Sequence, residues 1–84
     1  MTEPDELVPA FLLDLERMLG VALLIHDVDP GPPATIFAFG MVDNLSTELV
    51  GRGARELDAW RDLAVNLAAW RNVDPRQIRM MLGA

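Results

Sequence analysis

Between Ala34 and Val42 the chain reads ATIFAFGMV, and Thr35 is its one polar side chain. A half-exposed strand alternates apolar with polar residues, because successive side chains point to opposite faces. Here Ile36, Ala38, Gly40 and Val42 fall on one side, and Phe37, Phe39 and Met41 on the other. A strand apolar on both sides is normally covered on both. With 84 residues the chain has few elements to spare, since domains of this size bury only about 60–65% of the surface their unfolded chains expose.

The flanking segments supply candidates for that cover. Val8, Phe11, Leu12, Leu15, Met18 and Leu19 repeat with the spacing of one helical stripe, which predicts a helix from Pro9 to Leu19. Pro9 suits a first turn and Gly20 a left-handed C-terminal cap. The run VALLIHDVD, Val21 to Asp29, is short, aliphatic and bounded by glycine and proline, and so predicts a strand. The prolines of DPGPPA are excluded from any ladder, so the two strands read as an antiparallel hairpin.

From Asn44 onward the pattern reads as helical. Glu48 with Arg52, and Arg52 with Glu56, are opposite charges at i, i+4 spacing. Gly51 and Gly53 are poor helix residues, which moves the start of the long helix to about Ala54, after a turn capped by Ser46 or Thr47. Leu57, Trp60, Ala64, Leu67 and Trp70, widened by Leu63 and Ala68, form its stripe. Asp74, Pro75 and Gln77 are spaced as a capping box, with Val73 and Ile78 as its hydrophobic staple. They predict a short helix from Pro75 to Leu82 that ends at Gly83. The expected class is α+β, a single domain over residues 1–84 in the order α-β-β-α-α, with an antiparallel hairpin packed against helices. Two arrangements stay open: a helix on each face of the hairpin, or both helices on one face and a second subunit or target on the other.

Chemistry-bearing motifs are scarce. The chain has no cysteine and a single histidine, His26, so it cannot by itself supply the ligand set of a zinc or non-haem iron site. DVDPG, from Asp27, resembles the start of a calcium loop, but Pro32 and Ala38 stand where that loop needs glycine and glutamate. Ser46 with His26 is too sparse a pair to read as a hydrolytic centre, and Ser46 suits a helix cap. No phosphate-binding glycine loop is present. The expectation is a protein that is not an enzyme and holds neither metal nor cofactor.

Charge is the stronger signal. Residues 1–50 carry nine acids against Arg17, a local charge of −8, and residues 51–84 carry six arginines against four acids, +2. Such a chain, net −6, is polarised once folded and steers partners by orientation. Six arginines interleaved with acids are a weak footprint for phosphate, so direct nucleic-acid binding is the third reading. The leading one is a non-enzymatic protein–protein interaction module, an acidic inhibitor or regulator that docks on a basic, nucleic-acid-binding surface of a partner protein. Carboxylates there take the place of phosphates, the strategy of phage-encoded anti-CRISPR inhibitors. Its candidate contacts are Asp14, Glu16, Asp27, Asp29, Asp43 and Glu48. The alternative is an assembly subunit that forms a homo-oligomer through its hairpin. The acidic N-terminus lacks the basic segment of a signal peptide, and no apolar run is long enough to span a bilayer, which makes the cytoplasm the expected compartment.

Overall fold

The computed structural model describes residues 8–74, 76, 77 and 80. Helix α1 covers Ala10–Leu19, and Gly20 closes it in the left-handed conformation, φ 65° and ψ 35°, with its N–H donating to the Glu16 carbonyl. Strands β1 (Ala22–Asp29), β2 (Ala34–Val42) and β3 (Leu45–Gly53) follow, then helix α2 (Glu56–Trp70). The strands form one antiparallel sheet in the order β1-β2-β3. This is an α+β fold, as the sequence predicts, but with the order α-β-β-β-α.

The third strand corrects the reading of residues 45–53 as a turn and the approach to a helix. Val42 pairs with Leu45 across the two-residue turn Asp43–Asn44, and Asp43 sits at φ 52°. Aspartate tolerates that left-handed region better than most side chains. Ser46 and Thr47 are strand residues, so they cap nothing. The Glu48 and Arg52 pair, spaced for a helix, is equally spaced for one face of a strand, where i, i+2 and i+4 align.

Gly51 and Gly53 have a different purpose from the one their helix propensity suggests. A Cβ on Gly51 would collide with the Ala59 carbonyl oxygen and lie 2.7 Å from the Leu63 Cβ and N atoms. One on Gly53 would meet Asp58 and, at 2.7 Å, the Ala59 nitrogen. The glycines therefore let α2 rest directly on the strand backbone, the close approach that glycine in a strand commonly marks. Gly40 does the same for the Trp70 ring, 2.6 Å from its would-be Cβ.

The core lies between the sheet and both helices. Ala59, Trp60, Leu63, Ala64, Leu67 and Ala68 of α2 are buried together with Leu12 and Leu15 of α1 and Ala34, Ile36, Ala38 and Leu49 of the sheet. Leu57, assigned to the α2 stripe by spacing, is instead 46% exposed. Both helices thus serve one face of the sheet. Beyond α2, the Asp74 side chain accepts the Arg76 N–H at 2.9 Å, and the Gln77 N–H donates to the Asp74 carbonyl at 3.0 Å. The Arg76 backbone bond, then its guanidinium, hold the Asp74 carboxyl below the usual range. Of the helix expected from Pro75 to Leu82 and its end at Gly83, Pro75, Ile78, Arg79, Met81, Leu82 and Gly83 lie outside the described residues.

Gly51→Ala is expected to cost about 1–3 kcal/mol, the usual range for overpacking. A thermal melt checks this. The midpoint should fall by roughly 5–20 °C for a domain of this length, and an unchanged midpoint would contradict the backbone contact.

Candidate functional site

The sheet face turned away from the helices is the candidate site. Its composition follows from a β-bulge. Leu23 pairs with Gly40 and Ile25 with Ala38 on the helix side, but the next pairs are Asp27 with Phe37 and Val28 with Ile36. His26 is the inserted residue. Strict alternation after Ile25 would turn Asp27 toward the core and Val28 away from it. The bulge slips the pattern by one, so His26, Asp27 and Asp29 face outward and Val28 packs on the core.

Four cross-strand rows make up this outer face. In strand order they are Asp29–Thr35–Arg52, Asp27–Phe37–Val50, Leu24–Phe39–Glu48 and Ala22–Met41–Ser46. Leu24 is 56% exposed and Met41 37%, while Phe37, Phe39 and Val50 are half-buried by their neighbours. The His26 ring meets Phe39 edge-on, 5.7 Å between centroids. A depression of about 290 Å³ opens here, lined by His26, Asp27, Phe37, Ala38, Phe39 and Glu48. No described element packs over this face.

The sheet's edges, by contrast, are partly closed by the helices. Glu16 of α1 accepts the Leu23 N–H through Oε1 at 2.8 Å. On the other side Asp62 accepts the Arg52 N–H at 2.9 Å, and the Asn66 amide donates to the Val50 carbonyl at 2.6 Å. Side chains that occupy edge N–H and C=O groups remove the template on which another strand would pair.

The six acids proposed from sequence therefore separate. Asp27, Asp29 and Glu48 share the outer face. Asp43 stands at the β2–β3 turn, Asp14 is exposed on α1, and Glu16 is engaged at the β1 edge. Asp29 also organises the following loop by accepting the Gly31 N–H at 3.0 Å. Sequence reasoning missed Asp62 and Asn66, whose positions on α2 carry no signal without the third strand.

The arginines are dispersed. Arg55 pairs with Asp58 at 3.5 Å and Arg76 with Asp74 at 3.1 Å. The Arg71 guanidinium lies 5.3 Å from the Trp70 ring centroid, and the Arg61 Nε is buried without a described hydrogen-bond partner. Among the described residues, no group of three or more histidine, cysteine or acidic side chains is placed to hold a metal ion, and no helix is long and apolar enough to cross a membrane. Compared with family models, curated proteins and solved structures, the chain finds no match.

Phe37 and Phe39 face away from the core, so their replacement by serine is expected to cost no more than about 1 kcal/mol each, the scale of one cross-strand pair. Ile36→Ala, on the other face of the same strand, should cost about 2–5 kcal/mol. Urea denaturation of the three variants checks this contrast, and equal losses would mean that the outer face is core.

Proposed function

We propose that this chain is a protein–protein interaction module, an acidic inhibitor or regulator whose outer sheet face docks on a basic protein surface. The observation that carries this reading is the apolar strip of Leu24, Phe37, Phe39 and Met41, left uncovered by any described element and bordered by Asp27, Asp29 and Glu48. Exposed apolar surface rimmed by polar groups marks interaction sites, and aromatics and methionine are the residues enriched in such interfaces. The rim selects the kind of partner. With three carboxylates against Arg52, the face attracts a basic surface and repels a phosphate backbone.

The same charge weighs against the homo-oligomer. Two copies stacked through this face would bring like charges together, which costs affinity, and strand addition is hindered where Glu16, Asp62 and Asn66 occupy the edges. Net charge −6 adds long-range steering toward a basic target.

The test places a photoreactive benzoylphenylalanine at Phe39, and at Leu57 on α2 as the control, in the cells that make the protein. A single adduct with a basic protein is expected from position 39, absent from position 57 and lost on Phe37→Ser. With that partner purified, affinity should fall at least about tenfold between 0.01 and 0.15 M salt, as the Debye length shortens from about 30 to 8 Å. An adduct with a second copy of the chain would support the oligomer instead. A salt-independent affinity, or equal adducts from both positions, would overturn the docking assignment.

A further inference from the structure

Resting on that reading, we infer that the depression between Phe37 and Phe39 receives one arginine side chain of the partner. Its lining combines two aromatic rings with two carboxylates in a fixed pattern. Asp27 flanks Phe37 from β1, and Glu48 flanks Phe39 from β3. The acids stand diagonally across the central strand, one beside each ring. Strands β1 and β3 are separated by two strand spacings, ~10 Å, so a cation seated between the rings lies between the two carboxylates. Neither Asp27 nor Glu48 has an ion-pair partner among the described residues. Their charge is left for something that arrives from outside.

Size and shape narrow the occupant. About 290 Å³ lies at the lower limit of small-molecule pockets, roughly 300–1,000 Å³, and suits a single long side chain. Aromatic faces attract cations, and the planar guanidinium both stacks on rings and donates hydrogen bonds in two directions, which a compact ammonium does less well. Desolvated arginine anchors of this kind carry a large share of binding energy in protein interfaces. His26, edge-on to Phe39, forms the wall at that end. The bulge creates the arrangement, because without the inserted residue Asp27 would face the core.

A titration of the nitrogen-15-labelled full chain with the peptide acetyl-Gly-Arg-Gly-amide tests this by amide chemical shifts. Saturable shifts are expected at His26, Asp27, Phe37, Phe39 and Glu48, with a dissociation constant on the order of 1–30 mM, far weaker than a complete interface. Asp27→Asn with Glu48→Gln should weaken binding at least about fivefold, and the citrulline peptide, of the same shape without the charge, should leave these resonances unmoved. Shifts of equal size with citrulline, or shifts confined to other faces, would overturn the arginine assignment. A lysine peptide that binds equally well would overturn the preference for guanidinium. The crosslinking experiment separates this inference from the docking reading. An adduct from position 39 that persists in the Asp27→Asn/Glu48→Gln chain sinks the arginine anchor and leaves docking intact, whereas no specific adduct sinks docking itself.

Discussion

Where α2 crosses β3 the strand's inner face carries only glycine, and the Ala59 carbonyl and Leu63 Cβ come down onto its backbone at Gly51. That approach demands small residues on the inner face beneath it. Ala34, Ala38, Gly40, Gly51 and Gly53 are all small, so Ile36 and Leu49 are the large side chains the sheet adds to Trp60, Leu63 and Leu67 on α2 and Leu12 and Leu15 on α1. A sheet so packed has no inner room for Phe37 or Phe39. Because the side-chain period is two, a one-residue slip of β2 would drive both rings into the helices. The helix contact thus fixes the register, and the register puts the aromatics outside.

The outer face follows as a consequence of that economy. Among the described residues both long helices, α1 and α2, are committed to one side. Among the described residues the sheet is therefore larger than its cover, and its surplus apolar area gathers on β2, the central strand, beside its cross-strand neighbours. The bulge at His26 then decides what borders it. One inserted residue turns Asp27 and Asp29 outward while returning Val28 to the core. A single irregularity thereby converts a partly acidic strand into one with a continuous apolar inner side and a charged outer rim.

Much of this was written in local sequence. The end of α1 at Leu19, its glycine cap and the two-faced character of β2 rest on periodicity and on backbone conformations that few residues adopt, so they are legible without tertiary information, whereas Pro9, read as the first helical residue, is the extended residue before Ala10. The third strand was not. In Leu45–Gly53 the pairs Glu48/Arg52 and Arg52/Glu56 satisfy a helical spacing, while the alternation of Ser46, Glu48 and Arg52 with Thr47, Leu49 and Gly51 satisfies a strand equally well. The two glycines break the tie, yet their meaning lies in what packs above them. The bulge left only a faint trace: the apolar phase of VALLIHDVD switches between Ile25 and Val28, which a short strand apolar on both sides conceals. Of the six acidic candidates, Asp27, Asp29 and Glu48 share a face because pairing brings β1 and β3 to either side of β2, a long-range fact that charge counting cannot contain.

That division gives the carboxylates unequal roles. On the docking reading, Asp14 and Asp43, exposed on α1 and at the β2–β3 turn, would act on a partner through the field of the whole molecule, which salt screens within about 8–10 Å under physiological conditions. Glu16 is drawn into the sheet's edge, where its oxygen substitutes for a neighbouring strand. Asp27 and Glu48 stand beside aromatic rings, where docking, on that reading, would exclude water and leave an ionic contact less screened than one made by Asp14 or Asp43. An acidic composition is therefore a poor guide to which acid matters. On the docking reading the deciding property is adjacency to apolar surface that a partner could desolvate, and the two-faced strand Ala34–Val42 supplies that surface on the side away from the described helices.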